Sequence, residues 1–227
     1  MCGRYSLVTT VAQIEQQLQV HFEQVTDLPA NYNVAPTQLA WCVTNTDPQL
    51  LQAFHWGLVP HWAKDKSRAA SLINARRESI STKPSFRIPI RRRRCLVLAD
   101  SFYEWRRSGK QKLPYRILRD NAQLLVFAGL WDEWHSAQGI YRSFTIITTE
   151  PNREMAAIHN RMPALLLTKA QQRSWLADQP LEDALELLNT PPDNVLQMYR
   201  VSSAINSVRY NEPAAHIRVQ DDPLTLF

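Results

Sequence analysis

Residues 94–148 read RCLVLADSFYEWRRSGKQKLPYRILRDNAQLLVFAGLWDEWHSAQGIYRSFTIIT, and this stretch sets the fold class. Aliphatic, β-branched and aromatic residues gather into short runs at Cys95–Ala99, Phe102–Arg106, Pro114–Arg119, Leu124–Leu130 and Ser143–Thr148. Turn clusters such as Ser108-Gly109-Lys110 separate them. Side chains suited to a pleated surface, punctuated by residues that relax the backbone, predict consecutive strands. Upstream, runs near 38–44 and 50–57 flank Asn45-Thr46-Asp47-Pro48 and predict a hairpin. Before them, Thr10-x-x-Gln13 predicts a capping box, opening an amphipathic helix with Val11, Ile14, Leu18, Phe22 and Val25 on one side. Downstream, a short helix is expected over Asn152–Ile158. A helix capped by Thr168-x-x-Gln171 follows through Leu176, then another over Leu181–Leu188 and a strand at Gln197–Ser203. Strands with helices segregated at the ends give an α+β architecture. With no internal repeat or low-complexity linker, residues 1–227 read as a single domain.

Composition narrows the chemistry. The chain is 44% hydrophobic and carries seven Trp, seven Tyr and seven Phe, enough apolar area for a core. No apolar run approaches the ~20 residues that a spanning helix needs, so no membrane partner is expected. The opening Met1-Cys2-Gly3-Arg4-Tyr5-Ser6 has no apolar signal-peptide core, which makes the cytoplasm the expected address. Three cysteines without a CxxC pair argue against a disulfide framework, and six scattered histidines against a metal site. None of the five glycines forms GxGxxG or GxxxxGK[ST], so no cofactor is expected. The net charge of +5 conceals a bias of 20 Arg to 6 Lys. Guanidinium is a planar fork that grips phosphate and stacks on bases, so the bias leans toward nucleic acid, although a solvated surface explains charge alone equally well.

Cys2 becomes the first residue if Met1 is removed, as is usual before a small side chain. The chain would then begin with a free amine and a thiol on adjacent carbons. An α-amine titrates near about 7.7–8.0, so part of it is neutral and nucleophilic at cellular pH. It can attack an aldehyde to give a Schiff base, and the thiol can close onto the imine carbon as a five-membered thiazolidine. Four segments place an arginine two positions after a chemically capable residue: Cys2-Gly3-Arg4, Asn74-Ala75-Arg76, Glu104-Trp105-Arg106 and His159-Asn160-Arg161. In extended chain, positions i and i+2 share a side, so each pair can offer a reactive group and a phosphate clamp to one groove. With this many arginines, chance also produces such spacings.

Together these segments resemble the SRAP family, the SOS response-associated peptidases and abasic-site processing proteins of the HMCES/YedK type. The matching residues are Met1-Cys2-Gly3-Arg4-Tyr5, Tyr32-Asn33-Val34-Ala35-Pro36-Thr37, Trp56-Gly57-Leu58-Val59-Pro60 and Ile73-Asn74-Ala75-Arg76-Arg77-Glu78. Ser85-Phe86-Arg87, Arg94-Cys95-Leu96-Val97, Phe102-Tyr103-Glu104-Trp105 and His159-Asn160-Arg161-Met162-Pro163 follow in order. The resemblance runs from residue 1 to about 210. Ser101 departs from it, standing where the family often has Gly.

The resemblance implies one domain with a mostly antiparallel, barrel-like β core flanked by helices. It also implies covalent capture of abasic sites in single-stranded DNA as a thiazolidine on Cys2, a DNA-damage activity linked to the SOS response. Glu104 would move protons, His159 would assist at the sugar oxygen and imine, and Asn74 would hold the N-terminus. Arg4, Arg76 and Arg161 would bind phosphates, while Trp105 and, less directly, Trp62 would stack on bases. Each residue keeps an alternative: Glu104 as an arginine's buried partner, His159 as a helix C-cap, Asn74 as a turn residue. In a regular strand Glu104 and Trp105 point to opposite faces, so both meet DNA only near a bend or strand end. Arg91–Arg94 reads as a solvated strand entrance, and Cys42 and Cys95 as small core residues. Two other functions compete with capture: an N-terminal-nucleophile thiol peptidase, with autocatalytic loss of Met1, and a noncovalent single-strand binding module. A protein consumed by its own reaction has no need to be more than monomeric.

Overall fold

The computed structural model describes residues 2–22, 28–120 and 123–219. In chain order the elements are β1 (Tyr5–Leu7), α1 (Val11–Leu18), β2 (Asn31–Val34), β3 (Leu39–Thr44), β4 (Leu51–Trp56), β5 (Asn74–Arg76) and α2 (Pro89–Arg92). Then come β6 (Arg94–Ala99), β7 (Ser101–Ser108), β8 (Gln111–Arg119), β9 (Leu125–Ser136), β10 (Gly139–Thr149) and α3 (Arg153–Ala156). β11 (Met162–Pro163), α4 (Lys169–Leu176), α5 (Leu181–Glu186) and β12 (Leu196–Arg200) complete the chain. Short 3₁₀ turns follow at Ser203–Asn206 and Pro213–His216.

The expected α+β class with a barrel-like core is what forms. Strands β10, β4, β3, β6 and β9 pair in that order, and β9 pairs back to β10, closing a five-stranded barrel. β5 and β11 attach to β10, the first parallel and the second antiparallel. A second sheet runs β12-β8-β7-β1-β2, antiparallel throughout. Alternation along the barrel strands sorts their side chains. Cys42, Cys95, Val97 and Phe127 join Tyr5, Phe102 and Ile117 of the second sheet in one core, which takes in Cys2. Val43, Leu96, Leu98 and Val126 join Ile14 of α1 and Trp175 of α4 in another. Closure needs Gly129: a Cβ there would lie 2.8 Å from Cys95 Sγ and 2.9 Å from Val97 Cγ2.

Several elements differ from their sequence expectation. The predicted 38–44/50–57 hairpin and both capping boxes form, with Gln13 N–H donating to Thr10 Oγ1 at 3.4 Å and Gln171 N–H to Thr168 Oγ1 at 3.1 Å. α1 stops at Leu18, because Gln19 turns left-handed at φ 58°. Phe22 therefore reaches the core from beyond the helix, edge-on to Trp41 at 5.1 Å, and Val25 lies outside the described residues. Residues 131–142, outside the predicted runs at Leu124–Leu130 and Ser143–Thr148, continue β9 and β10 into one long hairpin. The helices at 153 and 181 are shorter than predicted, and the last strand ends at Arg200. Arg94 is no solvated entrance. It is 1% exposed, and its guanidinium donates to the carbonyls of Ile90, Trp175 and Ala177, closing the C-terminal end of α4. Cys42 and Cys95 are buried as expected. No helix among the described residues is long and apolar enough to cross a membrane.

A candidate active site at the N-terminal strand

β1 is an interior strand, bonded to β2 on one side and β7 on the other. Tyr5 stands opposite Phe102, and Tyr103 N–H donates to Arg4 O at 2.9 Å. The sheet thus holds the backbone as far back as Arg4, two residues from Cys2. Cys2 is wholly buried, with Sγ 4.0 Å from Arg4 O. Burial first, and the neighbouring Glu104 carboxylate second, push its thiol far above the ordinary range. At neutral pH the sulfur is S–H rather than thiolate.

Asn74 reaches the same point from the barrel side. It opens β5 opposite Ile146 of β10, and its Nδ2 donates to Cys2 O at 2.8 Å. Its Oδ1 is buried and has no hydrogen-bond partner among the described residues, which leaves one acceptor beside the chain start. Glu104 is 2% exposed on the β7 face that carries Phe102 into the core. Cys2, Asn74 and Glu104, scattered over the sequence, meet.

β5 connects this cluster to a groove. Ala75 points into the core while Asn74 and Arg76 share the opposite face, as the i, i+2 spacing predicts. The groove has a volume of about 570 Å³ and is lined by Arg76, Glu78, Glu150, His159 and Arg161. His159 follows α3, and its N–H donates to Met155 O. Its Nδ1 accepts from Arg161 N–H at 3.0 Å, which places the proton of the neutral ring on Nε2. Arg161 is bidentate to Glu78, NH1 to Oε1 at 2.8 Å and NH2 to Oε2 at 3.1 Å, and NH2 also donates to Thr148 O at 2.6 Å. The hydrogen bond from Arg161 holds the Glu78 carboxyl below the usual carboxylate range.

The remaining expected residues are placed elsewhere. β7 pairs with β8 without a bulge from Ser101 to Ser108, so Trp105 lies on the face opposite Glu104. There its Nε1 donates to Asn206 Oδ1 at 2.6 Å, among Tyr32, Tyr199 and Ile205. Arg4 NH1 donates to Asn33 Oδ1 at 2.7 Å and Ile205 O at 3.0 Å, so that part of its fork is engaged within the protein. Trp62 is 55% exposed on the loop after β4, next to His61, whose Nδ1 and N–H both meet Asp132 Oδ2. No cluster of His, Cys, Asp and Glu among the described residues is arranged to hold a metal ion.

The sequence reading missed two residues. Glu78 sits inside a quoted motif, but its partner is far along the chain. Asn33 is 1% exposed and donates to Ser207 O at 2.9 Å and Tyr210 O at 2.7 Å while accepting from Arg4.

The family model for SOS response associated peptidase (SRAP) matches residues 1–208. The chain belongs to the SRAP family. Among relatives of this SRAP protein is the Bacillus subtilis abasic site processing protein YoqW, 40% identical over 94% of this chain and 97% of the relative. The abasic site processing protein HMCES of Pongo abelii is 32% identical over 74% of this chain and 57% of that longer protein. The SRAP fold recurs in a crystal structure of a Bacteroides thetaiotaomicron protein. Its TM-score is 0.89 at 26% identity, covering 96% of this chain and all of that one.

Proposed function

We propose that this protein processes abasic sites by capturing them covalently, in single-stranded DNA, through Cys2 after loss of Met1. The observation that carries this reading is the bond from Asn74 to the Cys2 carbonyl beside the buried Glu104, at the start of an interior strand. The names of the relatives support the lesion as substrate. An abasic deoxyribose opens to an aldehyde, and the neutral amine of Cys2 adds to its C1′. Glu104 would deliver a proton to the departing oxygen, water would leave, and a C=N bond would remain. The thiol then adds across that bond: sulfur joins C1′, and the thiol proton passes to nitrogen. Both partners sit in one residue, so ring closure is intramolecular. His159, with its Nε2–H, would assist at the sugar oxygen, and Arg76 and Arg161 would hold flanking phosphates. Arg4, Trp62 and Trp105 would act at the edges of the path, Arg4 and Trp105 only after exchanging their present partners.

The protonation of Cys2 supports capture over a thiol peptidase. Peptidase chemistry starts from a thiolate, which burial and Glu104 disfavour here. Capture starts from the amine and uses the sulfur as a neutral thiol.

Intact mass spectrometry, before and after mixing with an abasic single-stranded oligonucleotide, tests the reading. The expected result is a chain lacking Met1 that gains the oligonucleotide mass less one water without added reductant, and a Cys2→Ala chain that gains nothing. A wild-type chain that retains Met1, or never shifts in mass, overturns it. Much weaker reaction with fully paired duplex is expected, because stacked neighbours bar C1′ from a buried residue.

A further inference from the structure

The groove that would hold DNA phosphates contains its own anion. The Arg161 fork is closed by Glu78 through two parallel bonds, while Thr148 O separately fixes NH2. Glu78 is the more exposed partner, 46% against 12% for Arg161, so the carboxylate can leave while the guanidinium stays anchored. A phosphodiester offers the same two-oxygen edge, and both anions cannot use one fork. Arg76 and Arg161 share the groove lining with Glu78 and Glu150, so the formal charge of these four is balanced.

Building on capture as the function, we propose that Glu78 is an internal competitor for the DNA backbone, exchanging with a phosphate at Arg161 as the lesion seats. A strand that cannot enter deeply meets a neutralised groove and a closed fork. A nucleotide without its base lets the backbone descend, and its phosphate displaces Glu78. Discrimination against intact DNA then comes partly from a carboxylate that touches neither sugar nor base. Glu78 is a specificity residue acting through Arg161.

The test is Glu78→Gln in the full chain, titrated by fluorescence anisotropy with an undamaged single-stranded oligonucleotide over a series of KCl concentrations. Removing a partly exposed competing charge should tighten binding about two- to fivefold at low salt. One more phosphate contact should steepen the log–log salt slope by about 0.7. The preference for abasic over intact strands should fall together with these changes. Glu78→Gln combined with Arg161→Ala should show no steeper slope than Arg161→Ala alone. Weaker or unchanged binding, an unchanged slope, or no binding by either protein overturns the proposal; weakening is what a residue that merely orients Arg161 would give. Thermal melting checks that the variant folds. Intact DNA bears no aldehyde, so this titration is separate from adduct formation. If the wild type forms no adduct but the slope steepens, capture fails and the competitor stands.

Discussion

At the scale of single atoms, Asn74 is the residue on which the proposed capture leans most directly. One amide holds the carbonyl of Cys2, and its own oxygen is buried. Asn74→Ala should slow adduct formation about tenfold while leaving the fold intact, the effect of losing one well-placed hydrogen bond; single-turnover kinetics on an abasic oligonucleotide measures it. An unchanged rate would make Asn74 a strand-pairing residue only. The proposed chemistry draws on residue types: Cys2, an aminothiol once Met1 is lost, and chemically capable residues two before arginines at Asn74 and His159. The opposed faces of Glu104 and Trp105 were readable from strand alternation. Glu78 was not, because nothing local marks a carboxylate whose arginine is 83 positions away.

Elements were legible where their signals are local. Thr10/Gln13 and Thr168/Gln171 announce helix starts because the capping bonds join residues three apart. Helix ends were less legible: α1 ends when Gln19 turns left-handed, with no glycine to mark it. The long β9–β10 hairpin escaped because its outer half mixes polar and apolar residues without clean alternation, and pairing along it keeps it extended. Asn33 ties β2 to the segment at 205–210 and to Arg4. Asn33→Ala strands several buried partners at once, so a loss of roughly 2–3 kcal/mol is expected. Urea unfolding followed by tryptophan fluorescence reports it, and a shift under 0.5 kcal/mol would show that water replaces those bonds easily.

For the molecule as a whole, the α+β class was legible in the runs and the barrel-like core in the family resemblance, but not which strands close the barrel. Closure depends on β9 pairing with both β6 and β10 and on the space left by Gly129, both long-range facts. The C-terminal segment over the second sheet brings a pH dependence. His216 packs on Tyr32 at 4.9 Å, and burial, then Arg116, push its pKa down to about 4. The unfolded chain, titrating near 6.5, takes up its proton first. Stability is therefore full above that value and declines as pH falls toward 4. Tm measured from pH 7 to 4.5 should fall, and His216→Gln should flatten that part of the curve. Parallel curves for the two proteins would assign the acid sensitivity elsewhere.

The placement of Cys2 also bears on what the protein ignores. Aminothiols condense with small metabolic aldehydes as readily as with an opened sugar, and an unfolded chain beginning with cysteine offers no defence. In the folded chain Cys2 is buried, just ahead of a strand held between β2 and β7. If Cys2 captures abasic sites as proposed, folding would also withhold its amine and thiol from stray aldehydes until a bound strand presents a carbonyl.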